Sequence, residues 1–169
     1  MSVADFDPVD RFIAGTVGPP GQRAFFLQAR GAGGLRSVSL EKVQVGLLAE
    51  RLAELLDRVG ALGLGAQVDN EPMETPIEDE FRVTAIGLSW DASRSRIIVE
   101  CHDHDPDEGE PAPTGALHSV RVVLTPSQAR EFTRRASALV AAGRPPCPFC
   151  GLPLDPTGHV CPRANGYRR

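Results

Sequence analysis

The feature that most constrains this chain is a change of apolar period that occurs in the same order twice. Strand-like stretches with period-2 patterning give way to a helix-like stretch of period 3.6, and the succession then repeats. In the first half, Arg11–Val17, Arg23–Ala29 and Leu35–Leu40 read as strands. Gly18-Pro19-Pro20-Gly21 and Gly31-Ala32-Gly33-Gly34 punctuate them, because proline fixes φ and glycine accepts positive φ. A helix follows, capped by Ser39 or a neighbour and reaching Val59, with Leu48, Leu52, Leu55 and Val59 as its apolar stripe and Gly60 as its stop. In the second half the strands are Phe81–Trp90, Arg94–Cys101 and Leu117–Leu124. Thr125-Pro126-Ser127-Gln128 then forms a helix start, with Thr as N-cap, Pro at the first helical position and Gln closing a capping box. That helix runs to about Ala142, with Phe132, Ala136, Leu139 and Val140 facing inward.

The order predicts an α+β fold of two strand-strand-strand-helix units that share one antiparallel sheet, with helices on one face. An offset of 84 places Leu40 on Leu124, Gln44 on Gln128, Arg51 on Arg135 and Leu55 on Leu139, the pattern of an internal duplication over 10–60 and 81–142. One core is expected from Phe25, Leu27, Leu48, Leu52, Leu55, Ile98, Val122, Leu124, Phe132 and Leu139. Residues 60–80 read as an irregular linker, since Asp69, Glu71, Glu74, Glu78, Asp79 and Glu80 fall there with no base among them. The expected division is a body over 1–143 and a small appendage over 144–169.

The appendage carries the strongest chemical signal. Cys147-Pro148-Phe149-Cys150-Gly151 is followed after seven residues by His159-Val160-Cys161. Three thiolates and an imidazole match the N/S tetrahedron that zinc prefers. The glycine after the Cys-x-x-Cys turn supplies positive φ, and alternating residues of an extended segment let His159 and Cys161 share one side. Four protein ligands close the site, which makes the zinc structural rather than catalytic. A redox pair is disfavoured because Gly and Pro, not a helix, follow the motif. The tail beyond it, including Arg163, Asn165, Tyr167, Arg168 and Arg169, is basic and aromatic, a composition suited to docking on a partner. Acids concentrate in two loops while this end is positive, so a dipolar molecule is expected.

Composition narrows the function. The chain has 169 residues, a net charge of −4 and only one lysine, Lys42. Such a balance argues against a protein that coats nucleic acid electrostatically. No stretch approaches the ~18 apolar residues that cross a bilayer, so no membrane association is expected. MSVADFDPVD lacks the features of a secretory signal, and a cytoplasmic location is expected.

Other candidates carry less. His102-Asp103-His104-Asp105 resembles a metal-binding run, but it opens a strongly acidic loop and reads better as solvated. Nothing near Cys101 would lower its pKa, so it reads as a strand residue. Gly31–Gly34 lacks the Lys-Ser/Thr ending of a phosphate loop, and His118 alternates with Val120 without catalytic context. No catalytic residue is assigned.

Two blocks carry a resemblance: Asp10-Arg11-Phe12-Ile13-Ala14-Gly15-Thr16-Val17-Gly18 with Gly21-Gln22-Arg23-Ala24-Phe25-Phe26-Leu27-Gln28-Ala29, and Arg144-Pro145-Pro146-Cys147 through Gly166-Tyr167-Arg168-Arg169. The chain resembles an uncharacterised actinobacterial protein family, a domain of unknown function with a C-terminal zinc ribbon. The resemblance implies zinc as the bound metal and no established activity, and its gene neighbourhood implies a shared pathway with phosphatase-like and lipid-kinase-like proteins. The leading expectation is therefore a zinc-ribbon adaptor or regulatory binding protein that docks on a protein, or on nucleic acid, through its C-terminus. The alternative is a small enzyme or accessory subunit working with a phosphatase- or kinase-type partner.

Overall fold

The structure, a computed structural model, describes residues 2–19, 21–61, 67–104 and 118–142. Its elements run β1 (Ser2–Phe6), β2 (Arg11–Val17), β3 (Ala24–Gly31), β4 (Gly34–Leu40), α1 (Lys42–Arg58), β5 (Asp79–Arg82), β6 (Ala85–Asp91), β7 (Arg96–His102), β8 (His118–Leu124) and α2 (Pro126–Ala141). The α+β class and both strand-strand-strand-helix successions are present. The shared sheet is not: the strands form two four-stranded sheets, ordered β1-β8-β7-β6 and β2-β3-β4-β5.

The reason lies in two short strands that the period pattern does not reveal. β1 lies parallel to β8, and β5 lies parallel to β4. Each precedes one antiparallel triplet in the chain and joins the sheet of the other. The β4 and β8 edges, which a merged sheet would have to use, are thereby filled. The reading of Phe81–Trp90 as one strand is corrected in the same way. The chain leaves one sheet and enters the other at Val83 and Thr84, whose amides donate to Ser39 O (2.8 Å) and His102 O (2.7 Å).

Both sheets turn one face to a single core. Phe25, Leu27 and Ala29 of β3 meet Ile97, Val99 and Cys101 of β7 in one cluster with both helices. Phe12 stacks on Phe132 with ring centroids 4.8 Å apart. The expected core residues Phe25, Leu27, Leu48, Leu52, Val122, Leu124 and Phe132 are buried. Leu55 and Leu139 are only partly buried, and Leu56 takes the fully buried place. The inward stripe of α1 is Val45, Leu48, Ala49, Leu52 and Leu56, one helical step from the stripe drawn through Leu55 and Val59. Ile98 pairs with Val123 on the opposite face from Ile97, so it lies on the outer side of its sheet.

The helix starts show how closely the two halves correspond. α2 has the expected capping box, in which Thr125 accepts from the Gln128 amide and Gln128 Oε1 accepts from the Thr125 amide (2.9 Å). α1 is capped by Glu41, not Ser39, with Gln44 Oε1 accepting from the Glu41 amide at 2.7 Å. Each glutamine has a second task. Gln128 Nε2 donates to Val9 O (2.8 Å) and Gln44 Nε2 to Val83 O (3.2 Å), the buried residues just past β1 and β5. Equivalent side chains thus cap a helix and hold the exchanged strand beside it.

A candidate polar site under a strap

Residues 67–78 contain no helix or strand, as expected of a linker, yet they are tightly held. They wrap from α2 around the edge of β2 and onto the outer face of its sheet, lining an open cleft of about 1160 Å³. Arg11 on β2 sets the geometry. Its Nε and Nη2 grip the Asp69 carboxylate as a fork at 2.7 and 2.9 Å, and it also donates to Glu71 O (2.9 Å) and Pro72 O (3.1 Å). Arg135 on α2 donates to Ala14 O (2.9 Å), Asp69 O (3.0 Å) and Glu71 O (2.6 Å). The Asp69 amide donates to Glu131 Oε2 at 2.6 Å. Further along, Met73 lies over Gly15, where a Cβ would come within 2.5 Å of its side chain. Gln28, 2% exposed, then clasps the Glu74 backbone with both ends of its amide, accepting at 2.7 Å and donating at 2.9 Å.

The electrostatics follow from this packing. The hydrogen bond from Arg11 holds the Asp69 carboxyl below the usual carboxylate range and raises the guanidinium of Arg11 in turn. Burial lowers the pKa of Arg135, since only 13% of its side chain is exposed. For Glu131, burial favours the neutral form, but the bond from Arg134 and the Asp69 amide outweigh it, so the net shift is downward. The acid-rich segment is therefore not a free negative patch. Asp69, Glu74 and Glu80 pair with Arg11, Arg30 and Arg36 of the neighbouring sheet, which corrects the expected dipolar charge separation for this loop. Arg11, Gln28, Asp69 and Arg135 escaped notice as interacting residues. The available signal was an acidic run without bases, which implies arginines elsewhere to meet it.

The remaining candidates sort by environment. Cys101 is buried, and burial pushes its thiol up to about 12, as expected for an inert strand residue. Asp103 accepts from the His118 amide (3.0 Å) and contacts His104 Nδ1 (2.7 Å). Burial opposes its ionisation, but these partners prevail and its pKa is lowered. His118 stacks on Phe81 and His102 lies against His104. Among the described residues, no group of three or more His, Cys, Asp or Glu could hold a metal. Gly31–Gly34 is a hairpin turn, as read. Cys147, Cys150, His159, Cys161, Arg163, Asn165, Tyr167, Arg168 and Arg169 lie outside the described residues. Among those described, no helix is long and apolar enough to cross a membrane.

Fold and site together define a two-sheet α+β protein with exchanged leading strands and an ion-paired strap over one sheet. The chain belongs to the DUF3090 family, described as a protein of unknown function, whose model matches residues 4–161. A comparison with curated proteins finds no match.

Proposed function

We propose that this protein is an adaptor whose C-terminal zinc ribbon docks on a protein partner. The observation that carries the proposal is the donor set itself. Three cysteines and one histidine within fifteen residues supply the ligands of a closed tetrahedral zinc site at Cys147, Cys150, His159 and Cys161. Such a site would build a small module that has no need of a large core. The basic end, with Arg163, Asn165, Tyr167, Arg168 and Arg169, would form the contact surface, since arginine and tyrosine anchor interfaces well. A protein partner is favoured over nucleic acid by the overall net charge of −4.

The described body supports this reading by what its polar groups are doing. Arg11 and Arg135 donate to the chain's own carbonyls and to Asp69, which suits construction more than turnover. We also read the matched halves as an internal duplication over 10–60 and 81–142, supported by the twin roles of Gln44 and Gln128. A cytoplasmic setting fits a cysteine cluster that binds metal. The test is affinity capture from native cells with the full chain and with a chain lacking Tyr167–Arg169. Recovery of a protein by the full chain, and its loss on truncation, is expected. Equal recovery by both forms, or recovery of RNA alone, would overturn the proposal.

A further inference from the structure

Among the described residues, the correspondence between halves breaks at the strap. Where α2 meets β2, the strap crosses the junction and Arg135 is consumed by it. The matching junction, between α1 and β6, is a groove of about 520 Å³. Its walls offer Leu47, 48% exposed, together with the partly buried Leu55, Ile86 and Leu88. Arg51, the counterpart of Arg135 in the offset of 84, stands exposed on its rim with no partner among the described residues. Gln44 beside it performs the same double task as Gln128. One junction thus has its strap, and the other has Gln44 and Arg51 in the places of Gln128 and Arg135 with no strap among the described residues.

From this asymmetry, we infer that the α1–β6 groove is the seat of the chain's own segment 151–157, which crosses it as residues 69–75 cross the α2–β2 junction. The points of departure match. The first strap leaves α1 at Ala61, whose carbonyl accepts from Arg130 early in α2. The chain leaves α2 at Ala142, which lines one cleft with Glu41 and Lys42 at the start of α1. Asp69 lies eight residues past Ala61, and Gly151 nine past Ala142. Nine residues reach ~30 Å, enough to travel along the ~26 Å of α1. The chemistry also matches: Leu152 and Leu154 suit the apolar walls, and Asp155 is the only acid between 143 and 169, as Arg51 requires. The acidic segment 105–117 departs near Thr84, also on the groove, but offers few apolar side chains to fill it. In the zinc-ribbon reading, 151–157 is the stretch between the two ligand pairs, so this inference rests on that reading for its consequence. The ribbon would be held at a set place on the body.

Amide hydrogen exchange on the intact chain tests this, with zinc content measured in parallel. Leu47→Glu should accelerate exchange of 151–157 by ~tenfold or more while β2 and β3 keep their protection. Arg51→Asp should act in the same direction, and adding Asp155→Arg should restore protection. If Leu47→Glu disturbs folding, this charge reversal alone decides. Exchange of 151–157 unchanged by Leu47→Glu and Arg51→Asp, or a response confined to 105–117, overturns the inference, including the case where a separate partner uses the groove. Zinc bound without a groove response refutes the docking alone, and a groove response without zinc refutes the ribbon alone.

Discussion

Replacing Arg11 by methionine removes the fork on Asp69 and the bonds to two strap carbonyls, Glu71 O and Pro72 O, while keeping an unbranched stem on β2. The pair is well enclosed, with side-chain exposures of 12% for Arg11 and 24% for Asp69. Hydrogen bonds to a charged group contribute ~1.5–3 kcal/mol. The loss is moderated because Asp69 keeps Arg135, 3.4 Å away, and some water. We therefore expect Arg11→Met to cost ~2–3 kcal/mol, a large share of the ~5–15 kcal/mol typical of a domain. Urea unfolding at neutral pH should show it as a midpoint ~1–2 M lower, since m is ~1–3 kcal/mol/M. Arg30→Met, whose pair with Glu74 is solvent-exposed, should cost ~1 kcal/mol or less. Because the Asp69 pKa is depressed in the folded protein, its contribution is present above the unfolded carboxylate value. It is lost as pH falls through the lower folded value. Stability of the wild type should thus decline in that acid window, and Arg11→Met should flatten the decline. A cost below ~0.5 kcal/mol with an unchanged acid profile would refute the idea that this fork fastens the strap.

Purified protein should carry about one zinc per chain by elemental analysis, and Cys150→Ser should lose it without unfolding the body. Leu52→Ala, at a fully buried position of α1, should cost ~2–5 kcal/mol in the same urea assay. Cys101 should resist alkylation in native protein and react once denaturant opens the core, because its thiol is buried and raised to about 12.

Arg11–Val17 was legible in the sequence to the residue, and the Thr125–Gln128 capping box to the atom. Both are set locally, by side-chain alternation along a strand and by donors that a helix start must satisfy within four residues. The proposed zinc donor set rests on the same kind of local reading, the short spacing of Cys147, Cys150, His159 and Cys161 along the chain. What only the tertiary structure decided was long-range. β1 and β5 are short and partly acidic, and they are strands because β8 and β4 offer them unpaired edges more than 40 residues away. Asp69 looked like part of a solvated acidic run because its partners Arg11 and Arg135 stand 58 and 66 residues from it in the chain. Sequence fixes which groups a segment must bury or pair. Which distant group meets each need depends on the packing of the whole chain, and here that packing separated two sheets where local pattern alone predicted one.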